Sequence, residues 1–257
     1  MVEVLAAHPE SAALLLDYDG SLAPIVVDPA AAAAPGETLE VLARLTERLR
    51  LVGIVSGRPV DFLAEAVPLA GVELVGQYGL ERRVGGRTTI EPAALPFRES
   101  VASAATEAER RWPELLVERK GETAVTVHWR AVGDISASLV SDIEALGREH
   151  GLGVYATRMA RELRPPIPVD KGTAVRALLA DAPTVTSAAF AGDDRGDLPA
   201  LDALDALEAD GRLTHAIRIV VRSTEVPREL IERADIIVDG PAGLLEWLRA
   251  LAGSLRR

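Results

Sequence analysis

Short apolar runs alternate with amphipathic helical stretches at both ends of the chain, and this alternation strongly limits the folds it can adopt. Near the amino terminus, predicted strands cover residues 12–17, 51–56 and 72–77, with predicted helices at 37–49 and 60–67. Near the carboxyl terminus, predicted strands cover 185–191, 215–221 and 236–238, with predicted helices at 172–180, from about Leu198, and at 242–251. Strands joined through helices form right-handed crossovers and a parallel sheet. We therefore predict an α/β fold with a Rossmann-like parallel sheet as its core.

The middle of the chain has a different pattern. It contains a predicted hairpin at 80–90 around Gly85-Gly86, predicted helices at 99–111 and 135–150, and predicted strands at 123–130 and through Val154 and Tyr155. We predict that residues 93–164 form an α+β cap domain inserted into the core. Residues 1–92 and 165–257 then make up one discontinuous core domain.

Four polar motifs lie where three predicted strands end and one predicted helix begins. They are Asp17-Tyr18-Asp19-Gly20-Ser21, Ser56-Gly57-Arg58-Pro59, Asp170-Lys171-Gly172-Thr173 and Gly192-Asp193-Asp194-Arg195-Gly196-Asp197. Alone, each is also typical of an ordinary turn, a helix cap, an exposed lysine or a solvated acidic loop. Ligands of open α/β sheets bind outside the carboxyl ends of the strands. Carboxylates, a hydroxyl at a helix start and one ammonium therefore predict a site for phosphate chemistry at this edge of the sheet.

The order and positions of these four motifs resemble the haloacid dehalogenase superfamily. This resemblance implies that Asp17 is a nucleophile that forms an aspartyl phosphate, and that Asp19 is the general acid and base. The second carboxylate, Asp19, favours phosphoryl chemistry over dehalogenation. The same resemblance implies that Ser56, Gly57 and Lys171 bind the phosphate and that Lys171 is also catalytic. It further implies that Mg²⁺ is held by Asp17, Asp19 and Asp193, with Asp194 and Asp197 as supporting residues. Such oxygen ligands suit Mg²⁺ better than zinc, and the four scattered histidines have no metal-ligand spacing.

The insertion lies between the Ser56 and Lys171 motifs, which is the second cap position of the superfamily. Its segments Glu118-Arg119-Lys120-Gly121, His128-Trp129-Arg130 and Glu162-Leu163-Arg164-Pro165 resemble the trehalose-6-phosphate phosphatases. That resemblance implies Mg²⁺-dependent hydrolysis of trehalose 6-phosphate to trehalose and phosphate, a phosphoric monoester hydrolase activity of trehalose biosynthesis. It also implies that Glu118, Lys120 and Glu162 bind sugar hydroxyls, and it leaves Arg164 as a substrate ligand or a hinge brace. The family commonly has histidine at position 78 and an acidic residue at 198, where this chain has Tyr78 and Leu198.

Composition excludes several other functions. The net charge of −11 works against binding of nucleic acid, and no apolar run reaches the ~20 residues that a membrane helix needs. The first residues lack the features of a secretory signal, so we expect a cytoplasmic protein. We expect a small-molecule sugar phosphate as the partner, with the oligomeric state left open and a monomer as the default.

Three alternatives remain at the level of the sequence. The first is a phosphatase of the same superfamily that acts on another glycosyl or pseudo-disaccharide phosphate. The second is a non-catalytic sugar-phosphate sensor, and the third is an enzyme that transfers the phosphoryl group to a second sugar.

Overall fold

The computed structural model describes residues 1–26, 31–133, 135–157, 159–223 and 226–255. The helices are α1 (Val2–Ala7), α2 (Gly36–Thr46), α3 (Val60–Ala66), α4 (Arg98–Arg111), α5 (Ala137–Glu149), α6 (Lys171–Asp181), α7 (Leu198–Ala209), α8 (Arg228–Glu232) and α9 (Gly240–Ser254). The strands are β1 (Ala12–Leu16), β2 (Leu51–Val55), β3 (Val72–Gly76), β4 (Glu81–Val84), β5 (Arg87–Ile90), β6 (Leu116–Lys120), β7 (Ala124–His128), β8 (Gly153–Thr157), β9 (Ala160–Arg164), β10 (Ser187–Gly192), β11 (His215–Arg222) and β12 (Ile236–Asp239). By their internal contacts these residues form two compact units. We call Met1–Thr89 with Val169–Arg257 the core unit, and Ile90–Pro168 the inserted unit.

The core unit is built on an eight-stranded sheet in the order β12-β11-β10-β1-β2-β3-β4-β5. Its strands from β12 to β3 pair in parallel, and β4 then pairs with β3 in the antiparallel direction. Every residue of β1, β2 and β10 is buried, which explains why these strands are continuous apolar or small-residue runs. The centre of the sheet is therefore made from both ends of the chain.

Alternate side chains of the central strands enter two separate hydrophobic clusters. In β1, Leu14 and Leu16 pack in a cluster with α1, α2, α3 and α9, whereas Leu15 packs in a cluster with α6, α7 and α8. The helices match this arrangement through apolar stripes. In α2 the buried residues Thr38, Val41, Leu42 and Leu45 recur at helical spacing. The result is a three-layer α/β/α unit.

The inserted unit has its own sheet and its own core. The sheet order is β6-β7-β9-β8, with every neighbouring pair antiparallel. One face of this sheet packs against α4 and α5, where Val125, Val127 and Leu163 meet Ala104 and Ile143. The other face carries mostly polar side chains.

The predicted α/β class with a parallel sheet core is confirmed. The hairpin at 80–90 is present as β4 and β5, and it extends the core sheet. The sequence did not predict α1, α8 or β9. The two helices have six and five residues and are too short to show periodicity. The contacts divide the chain after Thr89 and Pro168, whereas the domain limits at 93 and 164 stay predictions. Over the described part of the chain, none of the helices has the length and hydrophobicity needed to cross a membrane.

Candidate active site

Parallel register brings the carboxylates of two distant motifs together. In the pairing of β1 with β10, Leu16 lies opposite Ala191, and the backbone N–H of Asp17 donates to the Ala191 carbonyl over 2.8 Å. Asp17 and Asp193 thus leave neighbouring strands at the same edge of the sheet. Both carboxylates are buried.

Lys171 is the first residue of α6, and its ammonium is held between two carboxylates. The side chain of Asp170 caps this helix by accepting from the Thr173 backbone N–H at 2.7 Å, which fixes the helix start. Lys171 Nζ donates to Asp17 Oδ1 and to Asp197 Oδ1, each at 2.6 Å, and all three side chains are buried. The chain has only two lysines, Lys171 and Lys120, and the second lies in the inserted unit.

Asp197 orders the loop that follows β10. Its Oδ2 accepts from the backbone N–H groups of Asp193 and Asp194, at 2.9 and 3.0 Å. The Asp193 carboxylate accepts from the Ser21 hydroxyl at 3.2 Å. Asp194 is placed differently, because its exposed carboxylate accepts from the backbone N–H of Gly196.

Two of the predicted metal ligands, Asp17 and Asp193, form one cluster with Asp197, which was predicted only as a supporting residue. Asp17, Asp193 and Asp197 each offer a carboxylate oxygen within 4.8 Å of the other two. The chain needs a residue without a side chain beside them, since a Cβ added at Gly20 would collide with the carboxylate of Asp193. Gly20 also has a φ of +85°, which disfavours other residues.

The electrostatics of the cluster show an excess of negative charge. Burial raises the pKa of Asp17 well above its ordinary value; Lys171 opposes this rise, while Asp197 and Asp193 add to it. Burial also raises the pKa of Asp193 to about 7, with Asp197 and Asp194 contributing. Burial works against the charged form of Lys171, but Asp17 and Asp197 outweigh it and raise the pKa of its ammonium well above the ordinary value. One ammonium thus faces three carboxylates.

This cluster fits a hard divalent cation. The donors are all carboxylate oxygens, which Mg²⁺ and Ca²⁺ prefer, and they lie close enough to share one ion. A divalent cation would also offset the charge that raises the pKa of Asp193. The residues present are therefore suited to the predicted Mg²⁺.

The Asp19 carboxylate lies outside this cluster and is clamped by an arginine. Arg58 Nε donates to Asp19 Oδ2 and Arg58 Nη2 donates to Asp19 Oδ1, both at 2.7 Å. The guanidinium carbon of Arg58 also lies over the ring of Phe62, 4.5 Å from its centre. Sequence reasoning gave Arg58 no role. Its position directly after Ser56-Gly57 was the available signal.

Ser56 lies at the end of β2, beside the Asp19 clamp. Its hydroxyl oxygen accepts from the Arg58 backbone N–H at 3.2 Å, so the hydroxyl proton can be donated elsewhere. Gly57 lies against the ring of Tyr78, and an added Cβ would come within 2.7 Å of Tyr78 Oη. Gln77 and Tyr78 have φ values of 48° and 61°, and the N–H of Tyr78 donates to the Ser56 carbonyl. A left-handed turn therefore supports this loop.

The predicted sugar-binding residues lie together on the polar face of the inserted sheet. Lys120 Nζ donates to Glu162 Oε2 at 2.7 Å, and Arg164 Nε lies 3.7 Å from Glu162 Oε1. Glu118 Oε2 lies 2.8 Å from Nε2 of His128. Within the inserted unit, then, the structure places Glu118, Lys120, Glu162 and Arg164 in a single surface of charged groups.

Arg164 also stacks on an aromatic ring. Its guanidinium carbon lies 4.0 Å from the ring centre of Tyr155, on β8. Tyr155 was not among the predicted site residues, since a single tyrosine in a short strand gives no signal in the sequence.

Comparisons with known proteins agree with this geometry. The family model described as trehalose-phosphatase matches residues 15–234. The trehalose-phosphate phosphatase of Mycobacterium tuberculosis (strain H37Rv) is 31% identical over 254 residues, which cover 95% of this chain and 62% of that protein. The chain thus spans less than two thirds of the length of this curated relative.

Solved structures show the same fold. A crystal structure of a trehalose-6-phosphate phosphatase related protein superposes with a TM-score of 0.76 at 25% identity, covering 95% of this chain and all of that one. A haloacid dehalogenase-like hydrolase from Bacteroides thetaiotaomicron superposes with a TM-score of 0.65 at 16% identity, covering 93% of this chain and 99% of that one. The predicted haloacid dehalogenase-type fold is confirmed.

Proposed function

The chain belongs to the trehalose-phosphatase family, and from this premise we propose that it hydrolyses trehalose 6-phosphate to trehalose and phosphate. The observation that carries the proposal is the buried pairing of Lys171 with Asp17 and Asp197, next to Asp193. This arrangement supplies a nucleophile, a cation for phosphoryl oxygens and a place for a divalent ion. Those are the requirements of phosphoryl transfer through an aspartyl phosphate.

In the proposed first step, Asp17 attacks the phosphorus of the substrate. Lys171 occupies Oδ1 of Asp17, so we assign the attack to Oδ2. A bond forms between Oδ2 and phosphorus while the bond from phosphorus to the sugar oxygen breaks. Asp19, as a carboxylic acid, gives its proton to the departing sugar oxygen, which leaves as an alcohol.

In the proposed second step, water hydrolyses the aspartyl phosphate. The Asp19 carboxylate takes a proton from the water, whose oxygen bonds to phosphorus as the bond to Asp17 breaks. Inorganic phosphate is released, the Asp17 carboxylate is restored, and Asp19 is again a carboxylic acid. The clamp by Arg58 is proposed to hold Asp19 in place through both proton transfers.

The phosphoryl oxygens are proposed to be bound by Lys171, Ser56 and Gly57. Lys171 supplies a fixed positive charge, and the Ser56 hydroxyl is left to donate because its oxygen already accepts from Arg58. Asp17, the backbone carbonyl of Asp19 and Asp193 would hold Mg²⁺, with Asp194 and Asp197 in support. When bound, Mg²⁺ would neutralise charge that develops on the phosphoryl group.

Sugar recognition is assigned to the polar face of the inserted sheet. Carboxylates of Glu118 and Glu162 accept from sugar hydroxyls, whereas the ammonium of Lys120 and the guanidinium of Arg164 donate. The ion pair of Lys120 with Glu162, at 2.7 Å, supports this by holding both groups in one position. We further propose that residues 93–164 act as the cap domain, and that the protein acts in the cytoplasm as a monomer.

The proposal is tested by phosphate release. Wild-type protein is assayed with trehalose 6-phosphate, glucose 6-phosphate and other glycosyl phosphates, with Mg²⁺ and with chelator. The variant Asp17→Asn should lose activity by a factor on the order of 10³ or more. Asp210→Asn, at an exposed position after α7, makes the same chemical change and should retain wild-type activity.

Selective, Mg²⁺-dependent release from trehalose 6-phosphate that disappears only in Asp17→Asn is the expected result. Release from a different glycosyl phosphate alone would replace the substrate and keep the mechanism. Full activity of Asp17→Asn would refute the nucleophile, and absence of release from every substrate would refute the enzymatic function.

A further inference from the structure

The polar face of the inserted sheet contains a buried threonine that the proposed function does not use. Alternate residues of β7 point to opposite faces of the sheet, and Val125 and Val127 pack against α4 and α5. Thr126 therefore lies on the polar face. Its register neighbours are Glu118 on β6 and Glu162 on β9, which places it between the two proposed sugar-binding carboxylates.

The hydroxyl of Thr126 is buried without a hydrogen bond. Thr126 is 1% exposed, and its Oγ1 has no hydrogen-bond partner among the residues that the structure describes. Buried hydroxyl groups in native proteins are rarely left in this state, so each case needs an explanation. Valine has almost the same shape and is at least as favourable in a strand, so packing alone does not explain threonine here.

The carboxylates on either side of Thr126 are each paired with another side chain, and neither accepts a hydrogen bond from Thr126 Oγ1 in this arrangement. Glu118 pairs with His128 at 2.8 Å, and Glu162 pairs with Lys120 at 2.7 Å. Directly opposite side chains in antiparallel strands have Cβ atoms about 4.5–5.5 Å apart. Because Thr126 is 1% exposed, a ligand reaches its hydroxyl only when the neighbouring side chains move apart. A ligand group with its own donor and acceptor can then bond to Thr126 and to a flanking carboxylate together.

We propose that Thr126 is a specificity-determining residue whose hydroxyl bonds directly to a sugar hydroxyl held between Glu118 and Glu162. A sugar hydroxyl donates one hydrogen bond and accepts others, so it serves the carboxylate and the threonine together. The inference rests on the proposed function, because it assumes that this face binds the sugar part of the substrate. Thr126 then favours substrates with a hydroxyl group at this position of the sugar, and it takes no part in phosphoryl transfer.

The test compares Thr126→Val, Thr126→Ser and Thr38→Val with the wild type. Thr38 is a matched control, because its Oγ1 is also buried without a hydrogen bond but lies in α2 of the core unit. For each protein, kcat/KM is measured with trehalose 6-phosphate and with p-nitrophenyl phosphate, which has no sugar. The Kd for trehalose is measured by calorimetry, and Tm by thermal unfolding.

Thr126→Val should lower the ratio of kcat/KM for trehalose 6-phosphate to that for p-nitrophenyl phosphate by about 3- to 10-fold, the effect of one lost neutral hydrogen bond. The Kd for trehalose should rise by a similar factor, and Tm should stay equal or rise. Thr126→Ser should restore most of the ratio. Thr38→Val should leave both the ratio and the Kd at wild-type values.

Other outcomes overturn the inference. An unchanged ratio and Kd in Thr126→Val, an equal fall with both substrates, or a clear fall in Tm would each show that the hydroxyl does not recognise sugar. Absence of trehalose binding by the wild type would do the same. If the wild type binds trehalose in a Thr126-dependent manner but hydrolyses no trehalose 6-phosphate, the proposed function fails and the inference stands.

Discussion

Replacement of Lys171 by methionine tests whether the buried ammonium holds the carboxylates of Asp17 and Asp197 together. Methionine keeps most of the length and apolar volume of the side chain but removes its charge. In the structure, Lys171 donates to Asp17 and Asp197 at 2.6 Å each, from a site where all three side chains are at most 5% exposed. The substitution therefore leaves three close carboxylates without their cation.

The magnitude follows from two independent estimates. A hydrogen bond to a charged group contributes about 1.5–3 kcal/mol, and Lys171 makes two. Removal of one partner from a buried ion pair costs about 3–5 kcal/mol. We therefore expect Lys171→Met to lower the free energy of unfolding by about 3–5 kcal/mol at pH 8 without metal. For a protein of this size that corresponds to a fall in Tm of about 6–20 °C.

The loss should become smaller at lower pH. Without the ammonium, Asp17 and Asp197 bind protons more tightly in the folded protein than in the unfolded chain, so stability rises as pH falls. Lys171 itself keeps its proton over this range in the wild type. The pKa of its ammonium is raised above 10.5, so its positive charge is lost only when the pH rises past the folded-state value.

The assay is urea unfolding followed by circular dichroism, with chelator, at pH 5 and pH 8. Arg176→Met is the matched control, because it removes a positive charge from an exposed position of the same helix, and we expect an effect within about 0.5 kcal/mol. A loss below about 1 kcal/mol in Lys171→Met at pH 8, or a loss that does not shrink at pH 5, would refute the reasoning.

Three further predictions concern the same unit. Because the folded-state pKa of Asp193 is raised to about 7 from an ordinary 3.8, the contribution of Asp193 to metal-free stability falls as pH rises from 4 to 7. Mg²⁺ should therefore raise Tm more at pH 8 than at pH 6. Calorimetry of Asp193→Asn should show no such difference between the two pH values. Arg58→Met should slow hydrolysis of trehalose 6-phosphate by about 10-fold or more, because Arg58 positions Asp19 to protonate the leaving sugar. With p-nitrophenyl phosphate a burst of p-nitrophenol should remain, because nitrophenolate leaves without a proton. Equal losses with both substrates in stopped-flow assays would contradict the positioning of Asp19. Gly20→Ala should lower stability in thermal unfolding more than Gly86→Ala does. Both glycines have a left-handed φ, which costs alanine about 1–2 kcal/mol, but only the Cβ added at position 20 meets a side chain. Equal losses would argue against the close approach of Gly20 to Asp193.

The sequence predicted where three of the four polar motifs lie because the strands that precede them are continuous runs of apolar or small residues. The runs before Asp17, Ser56 and Asp193 can only be buried strands between two helical layers, and their carboxyl ends must then meet at one edge. The predicted helix at 172–180 begins one residue early, at Lys171, where Asp170 and Thr173 form a reciprocal cap.

The side-chain partnerships could not be predicted in the same way. The clamp of Arg58 on Asp19 joins residues 39 positions apart, and it depends on how two loops pack. Asp194 and Asp197 look equivalent in the sequence, yet only Asp197 turns inward, because its carboxylate binds the amides of the loop. The isolated hydroxyl of Thr126 is likewise a property of register across three strands.

The pairing of β1 with β10 has a consequence for how the protein is made. Residues 12–16 pair with residues 187–191, whereas the sheet and helices of the inserted unit all come from residues 90–168. During synthesis all residues of the inserted unit therefore leave the ribosome before β10 does, and β1, which pairs with β2 on one side, must wait for its second partner strand. Asp17 and Asp193 meet only when that partner arrives. A nascent chain halted before residue 187 contains every strand of the inserted sheet but cannot assemble the cluster of Asp17, Asp193 and Asp197.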